Sequence, residues 1–170
     1  MKIYLVRHGE KEGHGFDAPL TEKGKEQIKT LSKNINGLDI ASIFSSSNPR
    51  SVESAKIISN EQGMKFEVVN NLKEFNRATF HKDITEVNDE EHRNYLNLLE
   101  FIKQREKEGK NILLVMNAGI NRAIMCTLLG LSMEKAIVLT QNFASITELE
   151  RKEIYGEKVW CINSINTTYT

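Results

Sequence analysis

The chain has 170 residues, 39% of them hydrophobic and 27% charged, which are proportions typical of one soluble globular domain. Its 23 basic and 23 acidic residues give a formal net charge of +0, which excludes a general binder of nucleic acid or of anionic membranes, because both need a basic excess. No apolar run has the length of a membrane span or a signal peptide, and Cys126 and Cys161 lack the spacing of a zinc site, so a cytoplasmic protein without a metal is predicted.

The first part of the chain predicts strands that alternate with helices. In chain order the predicted elements are a strand at 3–6, a loop at 10–20, a helix at 22–36 capped by Thr21, a strand at 40–44, a helix from Pro49 to about 60, and a strand at 65–69. Short apolar runs that end in turn residues indicate buried strands, and apolar residues three or four positions apart indicate helices packed on them.

The second part continues the alternation and ends in two successive strands. The predicted elements are an irregular excursion at 70–88, a helix at 89–107 ended by Gly109, a strand at 112–116, a helix at 120–129 followed by Gly130, a short helix capped by Ser132, and an antiparallel pair at 144–152 and 159–165. This order predicts a single α/β domain over residues 1–170. We expect a mostly parallel sheet with helices on both faces, a three-layer α/β/α sandwich, and a C-terminal antiparallel hairpin.

The carboxyl ends of three predicted strands carry residues suited to an anion. The first strand leads to Arg7 and His8, the second to Arg50 at a helix start, and the fourth to Asn117 and Ala118 at another helix start. If these strands are neighbours, two guanidinium groups and two helix N-termini converge, and together they suit a phosphate. A neutral imidazole nitrogen beside them could attack phosphorus. Each residue alone is more often part of a polar turn, so the hypothesis depends on the convergence.

Six segments in order carry a family resemblance. They read LVRHGE at 5–10, PLTEKGKEQ at 19–27, FSSSNPRSVESA at 44–55, LKE at 72–74, LLVMNAGINRAI at 114–125 and NFASI at 142–146. These segments resemble the motifs of the histidine phosphatase superfamily, which includes the cofactor-dependent phosphoglycerate mutases. The likeness runs from residue 3 to about 165. It implies the histidine phosphatase fold for the whole chain.

The resemblance also implies a mechanism. His8 would be the nucleophile and would form a phosphohistidine that water hydrolyses, while Arg7 and Arg50 would clamp the phosphoryl oxygens. Glu74 would give a proton to the leaving group, which needs a carboxyl that can be protonated near working pH. No metal or other cofactor is implied, because arginines and backbone N–H groups supply the charge stabilisation. The expected substrate is a phosphorylated small molecule or a phosphoprotein.

One position departs from the family pattern. Asn117 stands where the family has a second histidine, and Met116 and Ala118 differ from the usual serine and glycine. Asn117 and Ala118 are expected to contact the phosphate, but an amide cannot carry a positive charge. Three interpretations stay open: a slower or compensated enzyme in which His14 or His81 supplies an imidazole, a pseudophosphatase that binds a phosphorylated ligand, and an engineered inactivating change.

Chain length favours a phosphatase over a mutase. Arg50 and Asn117 are 67 positions apart, and a predicted strand and a long helix already occupy much of that span. A lid made from 70–88 would therefore be small, and an open site suits hydrolysis because water must enter. Arg77, His81 and Lys82 could meet an anionic substrate or could be solvated charges. The substrate and the oligomeric state are left open by the sequence.

Overall fold

A computed structural model describes residues 1–15, 17–74 and 89–170. The strands are β1 (Lys2–Arg7), β2 (Ser42–Ser45), β3 (Phe66–Val68), β4 (Ile112–Met116), β5 (Ile146–Ile154) and β6 (Glu157–Thr167). The α-helices are α1 (Glu22–Asn34), α2 (Pro49–Gln62), α3 (Asp89–Glu108) and α4 (Ala118–Leu128), and short 3₁₀ helices lie at Asn70–Leu72 and Met133–Val138. Within these described ranges, no helix is long and apolar enough to cross a membrane.

The six strands form one sheet in the order β3-β2-β4-β1-β5-β6. The first four strands in this order are mutually parallel, whereas β5 is antiparallel to β1 and β6 is antiparallel to β5. The mostly parallel sheet with a C-terminal hairpin is thereby confirmed. Because β2, β4 and β1 are adjacent and parallel, their carboxyl ends lie at one edge, and the reversed β5 brings its first residues to that same edge.

Two apolar cores lie on opposite faces of the sheet, because successive side chains of a strand point to opposite sides. On one face Ile3 and Leu5 join a buried cluster with residues of α3 and α4, such as Leu98, Ile102, Ile120 and Ile124. On the other face Tyr4 and Val6 join residues of α1 and α2, such as Ile28, Leu31, Ala55 and Ile58. Each fully buried side chain of this size contributes about 1.5–3 kcal/mol. The three predicted layers follow from this division.

The turn after β1 is fixed by main-chain contacts with the start of α1. Thr21 caps that helix, because its hydroxyl oxygen accepts the N–H of Gly24 at 2.9 Å. A Cβ atom added to Gly24 would lie 2.1 Å from the carbonyl oxygen of Glu10, and one added to Gly9 would lie 2.3 Å from the carbonyl oxygen of Gly24. The side-chain oxygen of Gln27 accepts the N–H of Glu10 at 2.9 Å. Glycine is therefore required at both positions.

Some element boundaries differ from those predicted. The helix predicted at 120–129 begins at Ala118. The prediction missed its first residues because Ala118 and Gly119 are small and do not contribute to the apolar periodicity that marks its later turns. The strand predicted at 40–44 begins at Ser42, because the N–H of Ile40 bonds the carbonyl oxygen of Leu38 in a turn. Of the excursion predicted at 70–88, residues 75–88 lie outside the described part of the chain.

Candidate active site

The adjacent carboxyl ends of β1, β4 and β2 bring the predicted site residues together. Main-chain hydrogen bonds continue past the strands, from the N–H of His8 to the carbonyl oxygen of Met116 and from the N–H of Ser46 to that of Val115, both at 3.0 Å. These bonds fix where each chain leaves the sheet. As a result His8, Arg50 and Asn117 form one hydrogen-bonded group at this edge.

His8 is neutral, and one of its ring nitrogens carries a lone pair. The side chain is 2% exposed, and its Nδ1 lies 2.7 Å from the carbonyl oxygen of Gly9. A carbonyl can only accept, so Nδ1 carries the proton and Nε2 is unprotonated. Burial lowers the pKa of His8 to about 3, and the positive charges of Arg50, Arg7 and Lys11 act in the same direction. Nε2 is therefore available as a nucleophile at neutral pH.

Arg50 links His8 to the start of α4. Its Nε lies 3.1 Å from Nε2 of His8 and donates to Oδ1 of Asn117 at 2.6 Å. Nδ2 of Asn117 in turn donates to Oδ1 of Asn48 at 2.9 Å. Arg50 is 4% exposed, and burial lowers the pKa of its guanidinium while the charge of Glu74 raises it. The guanidinium stays charged, since arginine does not lose its proton in proteins.

Arg7 precedes His8 in the chain and is held by the segment before β5. One Nη atom donates to the main-chain carbonyl oxygen of Gln141, and the guanidinium carbon lies 3.9 Å from the ring centroid of Phe143. The same ring lies 5.6 Å from the His8 ring, centroid to centroid. Burial, followed by the charges of Arg122 and Arg50, lowers the pKa of Arg7 to about 10, against the opposing charge of Glu74. Arg7 is thus a desolvated cation stacked on an aromatic face.

Glu74 lies at the N-terminus of α4. Its carboxylate accepts the N–H of Gly119 at 3.2 Å and of Ile120 at 3.0 Å, which is the position that an anion takes at a helix start. Ala118, the first residue of the helix, places its own N–H at the same end. Since the charge of Glu74 raises the pKa of both Arg7 and Arg50, the carboxylate lies within electrostatic reach of the two guanidinium groups.

The described part of the site carries an excess of positive charge. Arg7, Arg50 and Arg122 bring three positive charges, and Glu74 and Asp17 bring two negative charges. Such a site suits a phosphoryl dianion. Within residues 1–15, 17–74 and 89–170 no group of three His, Cys, Asp or Glu side chains could hold a metal ion.

The residues that were predicted to contact the substrate or to replace the missing imidazole are not found at the described part of the site. Arg77, His81 and Lys82 lie outside the described residues, and His14 is exposed in the loop after β1. Three residues beside the predicted site residues were not themselves predicted to be part of the site: Phe143 and Gln141 beside Arg7, and Asn48 beside Asn117. The NFASI segment at 142–146 contains Phe143 and resembles a family motif, but the sequence did not indicate that this segment lies beside Arg7.

Comparison with known proteins gives a family match along almost the whole chain. The model of the histidine phosphatase superfamily (branch 1) matches residues 3–102 and 93–164. A probable phosphoglycerate mutase, GpmB, of Enterobacter sp. (strain 638) is 29% identical over 99 residues, which are 54% of this chain and 46% of that protein. GpmB of Salmonella choleraesuis (strain SC-B67) is 30% identical over 89 residues, 48% of this chain and 41% of that protein. The matched segments thus span about half the length of these curated relatives or less.

Solved structures match over nearly the full length. A mycobacterial glucosyl-3-phosphoglycerate phosphatase has a TM-score of 0.78 at 18% identity, with 98% of this chain and 99% of that chain covered. A phosphoserine phosphatase from Entamoeba histolytica, in complex with 3-phosphoglyceric acid, has a TM-score of 0.76 at 21% identity, with 98% of this chain and 97% of that chain covered. At these identities the likeness shows the fold.

Proposed function

Because the chain belongs to the histidine phosphatase superfamily (branch 1), we propose that it hydrolyses phosphomonoesters through a phosphohistidine formed on His8. One observation carries the proposal: Nε2 of His8 is buried, unprotonated and 3.1 Å from Nε of Arg50. A phosphoryl group that is bound by a guanidinium at this distance would be held beside the attacking nitrogen. Positioning of this kind supplies much of the acceleration in phosphoryl transfer.

The proposed reaction has two steps. In the first, the lone pair of His8 Nε2 forms a bond to phosphorus, the bond to the ester oxygen breaks, and Glu74, protonated once the negatively charged phosphoryl group is bound beside it, gives its proton to the leaving alcohol. In the second, water attacks the phosphohistidine, its proton passes to the Glu74 carboxylate, and His8 and inorganic phosphate are released. Arg7 and Arg50 bind the oxygens on which negative charge accumulates. Ala118 contributes a backbone N–H from the start of α4.

Asn117 is proposed to weaken this activity. Family resemblance places a histidine at this position, and an amide can donate to a phosphoryl oxygen but cannot carry a positive charge. Loss of one well-placed donor to a developing anion costs ~10²–10³ in rate, and Asn117 should recover part of that loss with its own N–H. The phosphate site should therefore be kept better than the rate of turnover.

The proposed substrates are phosphorylated small molecules. Two proteins of the same fold are named for glucosyl-3-phosphoglycerate and phosphoserine as substrates, and the excess of arginine charge suits such anions. We propose a phosphatase and not a mutase, although the curated relatives carry the mutase name, because Arg50 and Asn117 are only 67 positions apart and leave little chain for a large lid. A phosphoprotein is the alternative substrate that an open site would accept.

A non-catalytic phospholigand-binding protein is the second candidate. The observation that favours it is the neutral Asn117 beside an otherwise charged group, since binding needs the arginines but turnover needs charge stabilisation in the transition state. In that case the chain would bind phosphate or vanadate and would show no hydrolysis. A ligand selective for the folded state must raise the melting temperature in either case.

The two candidates are separated by turnover of an aryl phosphate. The purified parent chain, His8→Ala and Asn117→His are compared, with Lys29→Ala on the exposed face of α1 as a matched control. The enzyme hypothesis expects hydrolysis by the parent and by Lys29→Ala, none by His8→Ala, and faster hydrolysis by Asn117→His. A mass increase of one phosphoryl group on the parent, absent from His8→Ala, would support the intermediate. Turnover by Asn117→His alone, with phosphate binding by the parent, would support the binding protein instead.

A further inference from the structure

We infer that Asn48 and Asn117 form an amide relay that positions the guanidinium of Arg50, an inference that rests on the proposed function. Both asparagines occupy helix N-cap positions, Asn48 before α2 and Asn117 before α4. Asparagine is favoured there because its side-chain oxygen accepts a backbone N–H of the first turn. Neither side chain makes that bond in this chain. Instead, the side-chain amide of Asn117 donates a hydrogen bond to the side-chain oxygen of Asn48.

The chemistry of the three groups fixes the direction of the relay. A guanidinium has only donors, so the Asn117 atom that is 2.6 Å from Nε of Arg50 must be the oxygen. The nitrogen of Asn117 then faces Asn48, whose contacting atom at 2.9 Å must be an acceptor and therefore its oxygen. Only one assignment of the two amides satisfies all these contacts. The arginine thus determines how both asparagines are oriented, and they in turn hold its Nε.

Burial makes the two asparagines dependent on each other. Asn48 is 3% exposed and Asn117 is 1% exposed, so water cannot replace a partner that is removed. A buried amide without its partner is penalised by the full cost of its lost hydration. Removing the side chain of Asn48 should therefore disturb Asn117, and through it Arg50, although Asn48 makes no contact with the proposed phosphoryl position in the mechanism above.

The relay also affects the nucleophile. The single Nε proton of Arg50 is shared between Oδ1 of Asn117 at 2.6 Å and Nε2 of His8 at 3.1 Å. The shorter contact takes the larger part of the hydrogen bond. Asn117 therefore draws this proton away from the lone pair that attacks phosphorus. Without Asn117, this proton would be left with the longer and weaker contact to His8 at 3.1 Å, which would partly mask the nucleophilic nitrogen. The second N–H of the Asn117 amide can still meet a phosphoryl oxygen.

The relay is tested by exchange of the Arg50 Nε proton with water, measured by NMR on the ¹⁵N-labelled full chain. The signal is assigned by its loss in Arg50→Lys. We expect exchange to be about tenfold faster in Asn117→Ala, the factor for loss of a hydrogen bond to a charged donor, and faster than in the parent in Asn48→Ala. Asn48→Asp keeps an acceptor for Asn117 and should exchange like the parent. Ser46→Ala, which removes only a 3.5 Å contact to Asn48, is the matched control.

Exchange at the parent rate in Asn48→Ala, or equally fast exchange in Asn48→Asp and Asn48→Ala, would overturn the relay. If Asn48→Ala does not fold, Asn48→Ser replaces it, because serine keeps an N-cap oxygen but is too short to reach Asn117, and the same faster exchange is expected. In an active parent, Asn48→Ala should lower kcat more than it raises KM, and adding Asn117→Ala should lower kcat further, because the Asn117 amide also donates to a phosphoryl oxygen. The exchange measurement needs no turnover. An inactive parent would therefore refute the proposed function and leave the relay to be decided by exchange alone.

Discussion

Replacing His8 by asparagine should make the stability of the chain less sensitive to acid. The imidazole is buried and neutral in the folded chain, where its pKa falls from the ordinary 6.5 to about 3. In the unfolded chain it regains its ordinary pKa. Between these two values the unfolded state binds more protons than the folded state, so the free energy of unfolding rises with pH and falls as acid is added. Above the ordinary pKa of histidine this group has no effect, since it is neutral in both states.

The size of the effect follows from the two pKa values. At about pH 5 the unfolded imidazole is almost fully protonated while the folded one is not, which destabilises the parent by roughly 2 kcal/mol relative to about pH 7.5. At this pH the result depends almost entirely on the unfolded pKa, because the folded imidazole stays neutral. For a chain of this length, about 2 kcal/mol corresponds to a change of roughly 4–8 °C in melting temperature.

The assay is urea denaturation of the parent and of His8→Asn at about pH 7.5 and about pH 5 in a buffer without phosphate. The parent should lose roughly 2 kcal/mol more than His8→Asn when the pH is lowered. His14→Asn changes an exposed imidazole and should follow the parent. An equal loss in the parent and in His8→Asn would mean that His8 is charged or solvated in the folded chain, and the argument for a neutral nucleophile would fail.

Three further predictions concern the leaving group and the start of α1. Glu74→Gln should slow hydrolysis of an alkyl phosphate by ~10²–10⁴, because no carboxyl proton is available, and should slow an aryl phosphate less, since a phenolate leaves without help; equal slowing of both substrates would count against proton donation. Gly24→Ala should lower the free energy of unfolding by about 1–3 kcal/mol, because its Cβ would meet a carbonyl oxygen at 2.1 Å. Gly15→Ala is the control in the same urea titration and should have little effect, because a Cβ there meets nothing within 4 Å. Thr21→Ala should lower it by about 1 kcal/mol through loss of the helix cap, and no change in the urea midpoint would show that the cap bond is not important.

The elements that position the site were predictable because their residues have simple roles. The all-apolar strand β4 and the capped start of α1 follow from burial and from Thr21. That β1, β4 and β2 are neighbours could not be derived from the strands themselves, because parallel strands are paired by topology and not by local sequence. The sequence therefore left that order as a condition, and the family resemblance implied the fold. The ends of the predicted strands pointed to His8, Arg7 and Arg50, which the structure brings together, while the roles that the resemblance implied for them stay proposals.

The unpredicted parts of the site depend on long-range contacts. Asn48 before Pro49 has the pattern of an ordinary helix cap, and only the fold brings it within 2.9 Å of Asn117. Phe143 precedes a strand, a place where ligand residues are not expected in a parallel sheet. It reaches Arg7 because β5 runs in reverse. The contact of Glu74 with the start of α4 likewise joins segments 45 and 46 positions apart.

The reversal of β5 separates the parts of the site that could be redesigned from those that could not. Among the described segments, the turns after β2 and β4 leave the sheet and enter a helix at once, so a change of their length would shift a helix together with the site residues. The connection from α4 to β5 differs from them, because it contains the 3₁₀ helix Met133–Val138 and ends beside Arg7 at Gln141 and Phe143. Residues added before Gln141 would enlarge that connection and leave both turns in place. An engineer who wished to change which alcohol leaves in the proposed reaction, while keeping the proposed phosphoryl chemistry, would therefore begin with this connection.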